Sequence, residues 1–203
     1  MLQLFFVEDI ANPILVGDNA HHAERVLRMS IAEELLVSDG KGAWAQCAIT
    51  DISKKEVALS VIDKGFEAAT TNEISVLQAI PKGDRAKESV ELLTAAGVTN
   101  IYPWQSARAI GKESDKWQVA AIEASKQSRR FYIPKVAPKI DTAEALDLLK
   151  QFDQVLICHE SATTKLSDVV KPVAKTLIVI GPEGGITDEE LETFESEIGR
   201  AHV

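Results

Sequence analysis

Apolar positions alternate with polar ones in short runs over the first third of the chain. Beyond that they gather into longer blocks with helical or continuous spacing. LQLFFV, EELLVSD, WAQCAIT and EVALSVI are rich in β-branched and aromatic residues, are separated by turn signals such as Asp39-Gly40, and read as strands. One short helix is predicted from Asp18 to Arg28, with Asp18 or Asn19 as its cap and Val26 and Leu27 facing inward. This is the pattern of a small β-barrel or half-barrel. The stretch from Lys64 to Glu73 is small, polar and glycine-containing, and reads as a linker.

From Ile74 the pattern changes. ISVLQAI is a buried strand, a helix from about Asp84 to Ala96 stops at Gly97, and NIYPW is a second strand. SDKWQVAAIEASKQS is a long helix, and AEALDLLKQ, QVLICHE, KTLIVIG and DEELETFESEI then run helix, strand, strand, helix. Alternation of this kind predicts an α/β domain with a mostly parallel sheet. The sequence ends with Gly199 to Val203, of which Ala201 to Val203 look like the first residues of another strand.

Composition narrows the class. The chain is 45% apolar, enough for real cores, but its apolar runs are far shorter than the roughly 20 residues of a membrane span. No basic region precedes the first apolar stretch, so a signal peptide is not expected. Cys47 and Cys158 match no metal spacing and read as reduced thiols of a cytoplasmic protein. A net charge of −9 argues at first against a nucleic-acid partner. Its distribution weakens that objection: Glu183 to Glu197 holds seven acidic residues and no basic one. Positive charge gathers instead at Arg25 and Arg28, at Lys82, Arg85 and Lys87, and at Lys126, Arg129 and Arg130.

The richest candidate for chemistry is LIVIGPEGGITDEELETF, Leu177 to Phe194. Thr187 and Glu190 form a capping box, so the last helix starts near Asp188. The glycine turn therefore lies between the carboxyl end of a strand and a helix N-terminus, where open α/β sheets bind ligands. It matches neither the phosphate loop of nucleotide hydrolases nor the dinucleotide fingerprint. Glu183 and the acidic helix disfavour a triphosphate, so a neutral or cationic ligand such as S-adenosylmethionine fits better. PKGDR, Pro81 to Arg85, sits at another strand-to-helix corner. There Asp84 is a natural cap, and Lys82 and Arg85 are candidate phosphate contacts. In EASKQSRR, Glu123 and Gln127 share a helical face with Arg130 one turn on, either as dipole-stabilising surface or as a row that binds a base and a phosphate. In HHAERVLRM, adjacent histidines cannot both face one metal, and Arg25 and Arg28 read as a phosphate grip or a solvated face. In CHE, Cys158 and His159 point to opposite sides of a strand and cannot form a dyad.

HHAERVLRM, DGKG, QAIPKGDR, EASKQSRR and IGPEGG, in this order and spacing, resemble the 16S ribosomal RNA uridine-N3 methyltransferases of the SPOUT class. The resemblance implies a PUA-like, RNA-binding β-barrel over residues 1–68 and a SPOUT α/β domain with a C-terminal trefoil knot over 74–203. It implies S-adenosylmethionine as cofactor, bound by Leu156, Glu160, Gly181, Glu183, Gly184 and Gly185. It implies 16S ribosomal RNA of the small subunit as partner, held by Arg25, Arg28, Lys82, Arg85 and Gln127, and a homodimer with no membrane and no metal. Arg130 is the candidate cation for charge developing on the uridine. Glu123 is the candidate acceptor of the N3 proton, with solvent as the alternative. Two departures stand out. ELLTAAGV lacks a carboxylate that the family often carries, and the family's closing strand and helix do not follow Val203. Two other readings therefore stay open: an RNA-binding protein without activity, and a SPOUT methyltransferase of another RNA.

Overall fold

The computed structural model describes residues 2–53, 55–111 and 114–198, and the chain divides into two compact units. The first comprises Met1–Ala69 and Ser125–Ile133. Its strands are β1 (Leu4–Phe6), β2 (Ile14–Val16), β3 (Glu34–Ser38), β4 (Ala43–Ile52) and β5 (Glu56–Phe66), in the order β1-β3-β4-β5-β2. β1 runs parallel to β3 and the other pairs are antiparallel. Alternate residues turn inward, so Leu35 and Val37 of β3 and Ala45, Cys47 and Ile49 of β4 build one core with Phe5, Leu15 and Val57. Burial pushes the Cys47 thiol up to about 11, so it packs as an apolar group.

β2 is three residues long and was not predicted; its weak signal is completed by antiparallel pairing with β5. β5 runs on to Phe66, so the predicted linker loses its first residues to a strand. α1 starts at Gly17, and its cap is the extended Val16 rather than Asp18 or Asn19. The Asn19 amide is used elsewhere, donating to the Phe6 carbonyl at 2.9 Å and accepting from Lys126 Nζ at 3.1 Å. α1 (Gly17–His21) continues as a widened π turn over His22–Val26. Ala20 and Ala23 face the core, so the next inward position is Leu27, and Val26 is 58% exposed instead of inward. Arg28 lies beyond the helix in a left-handed conformation, φ 54°.

The DGKG turn holds the segment that returns to this unit. Gly40 and Gly42 have φ of 73° and 104°, and a side chain on Gly42 would strike the Tyr132 hydroxyl. Gly42 N–H donates to the Phe131 carbonyl, and the Trp44 and Phe131 rings stack with centroids 5.7 Å apart.

The second unit, Thr70–Ala124 and Pro134–Val203, is built on a wholly parallel sheet ordered β8-β7-β6-β10-β9. Its strands are β6 (Glu73–Ala79), β7 (Asn100–Trp104), β8 (Lys135–Val136), β9 (Gln154–Cys158) and β10 (Lys175–Ile180). Helices are α2 (Arg85–Ala96), α3 (Trp117–Ser128), α4 (Thr142–Leu149), α5 (Leu166–Val169) and α6 (Asp188–Ile198). β6 is buried on both faces, as a central parallel strand must be. Leu77 and Ala79 pack with Trp104, Leu148, Leu149 and Phe194, and Val76 and Ile80 pack with Val90, Ile101 and Trp117. The short α5 separates β9 from β10, which the sequence pattern places as consecutive strands. Gly97 closes α2 at φ 92°, as expected. Asp84 makes no side-chain cap, although its carbonyl accepts the N–H groups of Lys87 and Glu88. The strand expected from Ala201 to Val203 lies outside the described residues. No helix among the described residues is long and apolar enough to cross a membrane.

Candidate functional site

The chain builds outward from β6 to β7 and β8, then returns to lay β10 and β9 on the other side of β6. The direction reverses at the β6–β10 boundary, the kind of switch point where open parallel sheets bind ligands beyond the carboxyl ends of their strands. The register pairs Ile180 with Gln78, so PKGDR and GPEGG emerge side by side. They are tied together: Glu183 Oε1 accepts from Lys82 N–H at 3.2 Å and from Arg85 Nη1 at 3.3 Å. The Glu183 carboxyl is held below its ordinary value, by its own backbone N–H first, then that of Lys82, with Arg85 adding to it. The negative charge that the sequence pattern would aim at a ligand is thus already partnered.

The glycines of the turn divide into three cases. A side chain on Gly181 would come within 2.8 Å of Ile186 Cγ1, so packing against a core residue requires glycine there. Gly185 has φ 74°, a backbone requirement. Gly184 has neither: its φ is not left-handed, and an added Cβ would meet only Arg108 at ordinary contact distances of 3.5 and 3.6 Å. The fold needs two of the three glycines, and the third is exposed at the switch point.

A third loop completes the rim. The segment after β7 carries no motif of its own in the sequence; its one signal is its place at the carboxyl end of a predicted strand, where open parallel sheets bind ligands. Arg108 Nη1 donates to the Gly184 carbonyl at 2.9 Å, and Ala107 N–H donates to Glu190 Oε1 at 2.8 Å. Gly111 lies so close to the Pro81 carbonyl that any side chain would collide with it. The predicted capping box is present, with Thr187 and Glu190 exchanging bonds at 3.2 Å. Glu190, however, also accepts the Thr142 hydroxyl at 3.2 Å, so one buried carboxylate joins α6, α4 and the β7 loop.

The other predicted residues are placed as follows. Leu156 is buried in β9, opposite Ile178 of β10, and offers a ligand only its backbone. Glu160 is exposed just past the end of β9, and His159 Nδ1 beside it lies 2.7 Å from Ser161 Oγ. Arg25 is exposed and pairs with Glu24 at 3.4 Å. Since Arg28 is outside the helix, the two arginines do not share a helical face. Glu123 and Gln127 are one turn apart on α3, but the helix ends at Ser128 and Arg129 is left-handed, φ 52°. Arg130 therefore does not extend that row. The EASKQSRR segment straddles the two units, and HHAERVLRM lies wholly in the first.

Residues 68–201 match the model of an RNA methyltransferase domain and residues 15–62 that of an RNA methyltransferase PUA domain. Ribosomal RNA small subunit methyltransferase E of Mycobacterium bovis is 31% identical over 205 residues, covering 93% of this chain and 78% of that protein. The Bacillus subtilis protein of the same name is 27% identical, covering 95% and 82%. A crystal structure of the Neisseria gonorrhoeae protein of that name, bound to S-adenosylmethionine, superposes with a TM-score of 0.89 at 27% identity, over 100% of this chain and 88% of that one. The fold and these matches together define an RNA methyltransferase, a mixed α/β protein with an N-terminal PUA-like domain followed by a domain of the SPOUT class. Within that class, the chain belongs to the ribosomal RNA small subunit methyltransferase E family.

Proposed function

We propose that this protein methylates N3 of a uridine in 16S ribosomal RNA of the small subunit with S-adenosylmethionine as donor, acting as a cytoplasmic homodimer. Residues 1–68 hold RNA and residues 74–203 carry the transfer. The observation that carries the reading is Gly184: a glycine that neither packing nor backbone conformation requires, at the carboxyl edge of a parallel sheet in this family. Gly184 is exposed, and without a side chain its backbone is open to a ligand on the side that Arg108 does not cover. The exposed Gly184, the half-buried Gly185 beside it and the Glu183 carboxylate, held in place by Arg85, suit the cofactor.

When bound, S-adenosylmethionine supplies a methyl group on a sulfonium, a leaving group that departs neutral. The chain's own residues then have three tasks. The turn, the backbone of Leu156 within β9 and Glu160 just past that strand hold the donor, and alignment of N3 with the methyl group lowers the barrier. Arg130 faces the negative charge that spreads over N3, O2 and O4 as the N3 proton leaves. Glu123, on the exposed side of α3, accepts that proton, or solvent does. Arg25, Arg28, Lys82, Arg85 and Gln127 contact RNA, which must present the base unpaired.

Incubation with labelled S-adenosylmethionine and small subunits lacking the modification tests this. A reverse-transcription stop at one 16S uridine is the expected result. No transfer together with no cofactor binding overturns the enzyme reading, and transfer to another RNA alone overturns the substrate.

A further inference from the structure

The peptide between Gly184 and Gly185 joins two residues without side chains, so little hinders its rotation through the turn. Such a flip would exchange a carbonyl for an N–H on the face that a ligand meets. In this protein the peptide is held at both ends: Gly185 N–H donates to the Pro182 carbonyl at 2.9 Å, and the Gly184 carbonyl accepts Arg108 Nη1 at 2.9 Å. The first bond belongs to the turn itself. The second comes from another loop, 76 residues away in sequence, and is the stronger kind because its donor is charged.

That loop is held by further bonds, within itself and to α6. Gln105 Nε2 donates to the carbonyls of Ala109 and Gly111, at 3.3 Å each, and Ala107 N–H is held by the buried Glu190. Arg108 therefore reaches the turn from a fixed base, and its Cβ and Cδ cover Gly184 on one side. We infer that Arg108 is a positioning residue for cofactor binding, pinning the Gly184–Gly185 peptide in the orientation the ligand meets. The inference rests on the proposed S-adenosylmethionine site.

Two measurements on the full chain test it. In cofactor-free protein, Arg108→Ala should speed hydrogen exchange of the Gly185 amide about tenfold, the effect of removing one charge-assisted bond. By calorimetry the same variant should bind S-adenosylmethionine about tenfold more weakly, while KM for RNA moves less than twofold. Arg108→Lys, which keeps a charged donor, should recover part of both effects. Exchange and cofactor affinity within twofold of the parent protein overturn the inference, as does a rise in KM for RNA with unchanged cofactor affinity. If the parent protein itself binds no S-adenosylmethionine, the proposed function falls, and this assignment falls with it.

Discussion

The carboxylate of Glu183 and the guanidinium of Arg85, 98 residues apart in sequence, meet at 3.3 Å and join the turn after β10 to the turn after β6. The pair is partly exposed, so its worth is small. A double-mutant cycle with Glu183→Gln and Arg85→Met should give a coupling of about 0.5 kcal/mol in low salt that disappears near molar salt.

The pair also has a definite pH dependence. The Glu183 carboxyl is lowered in the folded protein from an ordinary value of 4.5. Its contribution is therefore complete above that value and is lost as pH falls through the lower, folded one. Parent protein and Glu183→Gln should differ in urea midpoint at pH 7 and converge under more acidic conditions.

Substitutions at the three glycines should separate fold from function. Gly181→Ala and Gly185→Ala should each lower stability by about 1 kcal/mol or more, the first by crowding Ile186 and the second by strain at φ 74°. Gly184→Ala should leave urea stability within about 0.5 kcal/mol yet weaken S-adenosylmethionine binding at least tenfold in a calorimetric titration. Full affinity in that variant would return Gly184 to a plain turn.

Glu190→Ala removes the acceptor for Ala107 N–H, both Thr187 groups and the Thr142 hydroxyl, all around one buried carboxylate. A drop of about 3 kcal/mol in urea denaturation is expected.

Arg28 sits in a conformation that glycine adopts more easily. Arg28→Gly should raise stability by about 1 kcal/mol while weakening RNA binding, a trade expected where function retains a strained residue. Changing Arg25 and Arg28 together to Ala should also flatten the salt dependence of RNA affinity. The logarithmic slope should fall by about 0.7 for each phosphate no longer neutralised, read from binding isotherms over a salt series.

The amino-acid pattern by itself determined the two kinds of architecture along the chain, because period-two alternation and continuous apolar runs report directly which faces are buried. It also located the IGPEGG and PKGDR corners and the Thr187–Glu190 capping box, since caps and glycine turns act over a few residues. It misread features that depend on distant partners. Asn19 is drawn from capping by Phe6 and Lys126, β2 exists only against β5, and Arg130 leaves the Glu123–Gln127 row because Arg129 turns left-handed. Only the tertiary structure decided which glycine of GPEGG the fold can spare, and that Arg85 at the start of α2 and Arg108 in the loop after β7 bracket the turn. Parallel strand order brings those segments together, and strand order is set by non-local pairing that no local stretch of sequence encodes.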